Sequence, residues 1–218
     1  MNRQLVFLSS LLFLIMISGC TVLSFYPLYT EDTLRRDDRI IGTWETINED
    51  DVFFKPEVWI WEISFQPEKW KKKINNPFDR GERKIPNQHT YTVFLYPKTE
   101  PERKAEFRLH LVELEGQFYM DLYPENLDGI NDFFAMHLLP VHTIAKVSIG
   151  ETLNINWFDF EWLEKLFEEN RIRIHHERNK NNILLTAKPE ELQKFVIKYA
   201  NEKEAFEDGL HYTLKRIN

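Results

Sequence analysis

The chain has 218 residues, 43% apolar and 29% charged, a globular composition that excludes a disordered chain. Its formal charge of −7 speaks against a nucleic-acid partner, which needs clustered lysine and arginine, and its densest basic run, Lys71-Lys72-Lys73, reads as a solvated turn. Cys20 is the only cysteine, so an internal disulfide and a cysteine-based metal site are excluded and a packed core must stabilise the fold.

The first element is an export signal. Arg3 precedes an apolar run from Leu5 to Ile17 broken only by Ser9 and Ser10. At about 1.5 Å per residue such a helix spans roughly 20 Å, short of the roughly 30 Å of bilayer hydrocarbon. The run therefore reads as the core of a signal peptide and not as a spanning helix. Ile17-Ser18-Gly19-Cys20 then resembles the bacterial lipobox. That resemblance implies cleavage between Gly19 and Cys20 after a signal peptide of residues 1–19, and a lipid on the Cys20 thiol. Thr21 stands where an aspartate marks inner-membrane retention, so the implied place is the cell envelope, at the outer membrane and facing the periplasm. Residues 20–39 read as the lipidated cysteine and a tether, and 40–218 as one domain.

From Ile40 the chain reads as successive strands: Ile40–Ile47, Val58–Phe65, Thr90–Tyr96, 107–111, 118–123, Val141–Ile149, Leu153–Trp157, Ile183–Ala187 and Leu210–Ile217. Phe107, Leu109 and Leu111 share one face, as do Phe118, Met120 and Leu122, and Glu115-Gly116 between these strands predicts a tight hairpin. Gly150-Glu151 predicts another. Residues 66–89, polar and holding Pro67, Pro77 and Pro86, read as a long loop. Two helices come late. Asp159 caps one over Phe160–Asn170, and Pro189 opens a second carrying the stripe Leu192, Phe195, Val196 and Tyr199. Eight or nine strands with short turns predict a mainly β (α+β) fold, an antiparallel lipocalin-like barrel or strongly curved sheet with two late helices.

Gly42-Thr43-Trp44 on the first strand resembles the G-x-W signature of lipocalins. The resemblance implies that Trp44 closes the barrel base under an arginine from near the chain end, a part open to Arg216. The chain departs from lipocalins in placing two helices before its last strand. Tyr26-Pro27-Leu28-Tyr29, Gly42-Thr43-Trp44, Asp121-Leu122-Tyr123-Pro124, Leu139-Pro140-Val141-His142 and Leu192-Gln193-Lys194-Phe195 together resemble a group of uncharacterised bacterial lipoproteins, over nearly the whole chain. This resemblance implies architecture and no chemistry.

No G-x-S-x-G elbow, H-E-x-x-H motif or phosphate-binding glycine loop occurs, so no catalytic residue, metal or cofactor is assigned. His175-His176-Glu177 is the most ligand-like run, but neighbours on an extended segment point apart; His137 and His142 straddle Pro140. Trp59 and Trp61 share a strand face with Ile63 and Phe65, and either line a cavity or sit in plain core. The leading expectation is a membrane-anchored lipoprotein whose barrel binds a small apolar or lipid ligand at Trp59 and Trp61. The alternative is a non-catalytic envelope lipoprotein with a filled barrel that docks a protein partner. A void inside the barrel favours the first, and a packed interior with an exposed apolar patch favours the second.

Overall fold

A computed structural model describes residues 21–47, 57–66, 87–125, 131–179, 182–206 and 209–218. Cys20, Gly19 and most of the loop expected at 66–89 lie outside the described residues. The fold is mainly β, and eight strands close an antiparallel barrel: β3 (Gly42–Thr46), β4 (Trp59–Phe65), β5 (Thr90–Pro97), β6 (Ala105–Leu114), β7 (Gln117–Pro124), β8 (His142–Ile149), β9 (Thr152–Trp157) and β12 (His211–Arg216). Each pairs with the next in that order. β12 closes the ring between β9 and β3, through Leu214 opposite both Leu153 and Thr46. Closure leaves these eight strands without a free sheet edge.

The register follows the alternation read from the sequence. Trp44 faces Trp61, Trp61 faces Leu95, Leu109 faces Leu122, Met120 faces Ala145 and Val147 faces Ile155, so all of these point into the lumen together. At the β6–β7 turn Glu115 and Gly116 adopt φ of 50° and 77°, the left-handed pair that a two-residue hairpin needs to match strand twist.

Two helices and a hairpin interrupt the ring between β9 and β12. α2 (Phe160–Glu168) starts at Asp159, whose carboxylate accepts the Trp162 N–H at 2.6 Å. β10 (His176–Asn179) and β11 (Asn182–Leu185) form the hairpin, and α3 (Pro189–Tyr199) has its proline at the first turn, where a missing N–H costs nothing. The stripes of α2 and α3 pack with Val112, Leu114, Tyr119 and Ile144 on the outer wall of β6, β7 and β8. The fold thus has two cores, one inside the barrel and one between its wall and the helices. A further short helix, α1 (Asp132–Ala135), sits between β7 and β8.

Residues 21–39, expected as a tether, are packed along the barrel. β1 (Leu23–Ser24) pairs with the first residues of β8 and with β11, and β2 (Leu34–Arg35) pairs with the end of β6. Val22, Ser24, Leu28, Leu34 and Ile40 are buried. The apolar character of Val22, Leu28, Leu34 and Ile40 carried this information, but their six-residue spacing shows neither a helical stripe nor the residue-by-residue alternation of a continuous strand, because the segment follows the barrel wall and not its own axis.

Candidate functional site

The base of the barrel is built by Gly42, Trp44 and Arg216. The Trp44 indole N–H donates to the Ile40 carbonyl at 2.9 Å, and the Arg216 guanidinium lies 4.1 Å above the Trp44 ring. Arg216 also donates to the carbonyls of Ile41 and Arg39. These contacts tie the last strand to the turn that enters the first. Gly42 has φ +146°, and a Cβ there would stand 2.2 Å from the Arg216 Nη1. Only glycine lets the guanidinium reach over the ring.

Above the base the lumen is packed. Trp44, Tyr91, Val93, Leu109, Leu111, Ala145, Leu153, Ile155 and Leu214 are fully buried. A void wide enough for water would leave its walls exposed, and among the described residues these walls are not. Trp61, 1% exposed, meets Trp157 and Tyr212 with ring centroids 6.3 Å away from each. Trp157 and Tyr212 meet edge to face at 5.7 Å, which closes an aromatic layer across the lumen. Trp59 lies beyond this layer, half-buried at the mouth with Leu95, Phe107 and Leu210. The two tryptophans therefore occupy different environments. Trp61 belongs to the packed layer, and its indole N–H has no hydrogen-bond acceptor among the described residues. Trp59 belongs to the mouth.

A second arrangement, unseen in the sequence, lies on the outer wall. Asp121, His110 and His142 are buried there under the N-terminal strap. Asp121 accepts the Leu28 backbone N–H and the His142 Nδ1–H, each at 2.6 Å, and Gln193 of α3 donates to the Leu28 carbonyl at 2.9 Å. Thr90 Oγ1 is 3.0 Å from His110 Nε2, and the Tyr29 ring covers His110 with centroids 4.2 Å apart. Burial favours a neutral Asp121, but attraction to His142, its hydrogen bond and the Leu28 N–H outweigh it and hold the carboxyl below its ordinary range. An ionised carboxylate only accepts hydrogen bonds, which places the His142 proton on Nδ1. Burial pushes His110 down to about 3, so its ring is neutral. Tyr26–Tyr29, Asp121–Pro124, Leu139–His142 and Leu192–Phe195, separate in the sequence, converge on this cluster. One signal existed: Asp121 stands between Tyr119 and Tyr123 on the face opposite Phe118, Met120 and Leu122, and that face is too aromatic to be exposed.

The remaining histidines separate. His175 sits against the Glu191 carboxylate at 2.7 Å, His176 stacks on Phe167 at 3.8 Å, and His137 is exposed on the β7–β8 connection. Among the described residues no group of three or more acidic, histidine or cysteine side chains is set to hold a metal. An open groove of about 480 Å³ runs along the outer wall past Lys146, Asn156, Asn201, Phe206 and His211. The Lys146 ammonium there already donates to the Ala200 carbonyl at 2.7 Å.

Among the described residues the most exposed apolar surface is the segment after β7. Phe133, Phe134, Met136 and Leu139 are 72%, 60%, 73% and 59% exposed. Compared with protein-family models, curated proteins and solved structures, the chain matches none.

Proposed function

We propose that this chain is a non-catalytic, lipid-anchored lipoprotein of the bacterial envelope, in which a filled barrel is a rigid scaffold and the outer surface does the work. The anchor reading rests on Ile17-Ser18-Gly19-Cys20. The scaffold reading rests on one observation, an inversion of burial. Large apolar side chains pack the lumen almost completely, while Phe133, Phe134, Met136, Leu138 and Leu139 stand in solvent. An apolar patch left exposed by a protein able to bury so much else marks a docking surface. Native mass spectrometry of the chain released from its own envelope in detergent tests this: the expected mass is that of the lipidated polypeptide alone.

A second reading keeps a small apolar or lipid ligand, now confined to the mouth. It is favoured by half-buried Trp59, Leu95 and Phe107 around the rim and by the unpartnered Trp61 indole N–H beneath them. A stoichiometric apolar molecule in the same spectrum would move the function to this site.

A further inference from the structure

We propose that residues 133–139 form a second membrane contact, a short apolar prong that enters the same bilayer as the lipid on Cys20. The inference rests on the lipid-anchor reading of Cys20 and names the partner of the exposed surface.

The prong is an ordered turn held by several hydrogen bonds to its own backbone and to Asn131. The Asn131 side-chain oxygen accepts the N–H groups of Phe133 and Phe134 at 3.0 and 3.3 Å, His137 N–H donates to the Phe134 carbonyl at 3.0 Å, and Leu138 N–H to the Ala135 carbonyl at 3.0 Å. The large side chains are absent from both cores, so the fold does not use them. No Lys, Arg, Asp or Glu occurs from Phe133 through Val141. Such a stretch suits hydrocarbon and offers nothing to a charged headgroup.

The anchor end supplies the second observation. Thr21 bridges Asp159, Val22 is buried, and Ser24 pairs with His142. The described chain is therefore held to the barrel wall from Thr21 onward. Leu139 lies three residues before His142, and Thr21 lies three residues before Ser24 on the antiparallel partner. The two ends are thus at most about 20 Å apart along the strand direction, at roughly 3.3 Å per residue. A lipid on Cys20 holds a bilayer within that reach of the prong, a proximity no protein partner is given. One anchor fixes distance and leaves orientation free, whereas two contacts fix both.

The test uses the full, processed chain in vesicles of phosphatidylethanolamine and phosphatidylglycerol, with a nitroxide label at Met136→Cys. A second sample carries the label at Glu151→Cys, on the exposed base turn. Flotation reads the anchor, and the ratio of oxygen to nickel-chelate accessibility reads the prong. The chain should float, with the ratio at least tenfold higher at position 136 than at 151. Flotation with equal ratios overturns the prong and leaves the anchor standing. A position 136 shielded from both reagents overturns it in favour of a protein contact or a second copy. A chain that does not float removes the anchor reading and the prong with it.

Discussion

Asp121 and His142 meet at 2.6 Å with both side chains buried, and the same carboxylate holds the Leu28 N–H of the strap. One anion thereby joins β7, β8 and the N-terminal segment, and through Gln193 the strap is tied to α3 as well. Asp121→Asn keeps the shape but removes the charge that holds the His142 proton on Nδ1. Breaking one side of a buried pair costs about 3–5 kcal/mol, because the partner stays behind uncompensated. The urea midpoint should fall accordingly. Limited proteolysis should cut within residues 21–39 in the variant before any cut in the barrel strands.

His110 gives the protein an acid-sensitive step. Its folded-state value near 3 lies below the ordinary 6.5, so below pH 6.5 the unfolded chain binds a proton that the folded chain refuses. Stability is full above 6.5 and declines as pH falls toward 3, by about 1.4 kcal/mol per pH unit from this group. Asp121, depressed below its ordinary range, adds a loss in the same direction once pH drops through the carboxylate range. His110→Gln retains a partner for Thr90 and removes the titration. Unfolding free energy measured from pH 6 to pH 4 should lose about one proton of slope in that variant.

At the base, Gly42→Ala and Arg216→Ala should couple. The alanine Cβ is blocked by the Arg216 guanidinium and sits at a φ suited to glycine, a strain of about 1–3 kcal/mol. Arg216→Ala alone loses the ring contact with Trp44, about 0.5–1 kcal/mol for an exposed cation. In the double variant the guanidinium is gone and only the Asn218 carbonyl oxygen, 2.8 Å from that Cβ, still crowds it, so the combined cost should fall short of the sum of the singles. Additive chemical-denaturation energies would show that backbone strain and the Asn218 carbonyl, not the guanidinium, account for Gly42.

The eight barrel strands, β11 and both late helices were legible because their apolar residues recur with a regular period, near two along the barrel strands and about 3.6 for α2 and α3. Asp159 as a cap and Glu115-Gly116 as a turn were legible because the residues carry the local chemistry. The strap was not, since Val22, Leu28 and Leu34 are spaced by contacts with distant strands. The pairing of Asp121 with His142 was hidden for the same reason: a face covered by another part of the chain is written like a solvent face. The motif segments were visible singly, but their meeting depends on barrel closure, which no window of sequence contains. The exposure of Phe133 and Phe134 was equally hidden, because an apolar run reads the same whether a core covers it or not.

The anchor reading makes its own demand. Cys20→Ser should yield a chain that no longer incorporates a fatty-acid analogue and no longer sediments with membranes. Unchanged labelling in that variant would place the lipid elsewhere or remove it from the account.

The packed lumen is tested most directly by titrating the chain with an apolar fluorescent probe while following tryptophan emission. Burying apolar probe surface favours binding by about 25 cal/mol per Å², before association costs, but only where space exists. With Trp44, Trp61, Trp157 and Tyr212 filling the barrel, quenching should be weak and non-saturating, and unchanged by Trp59→Ala with Trp61→Ala. Saturable quenching that this double variant abolishes, with its far-ultraviolet spectrum intact, would contradict the filled barrel and make the mouth a ligand site.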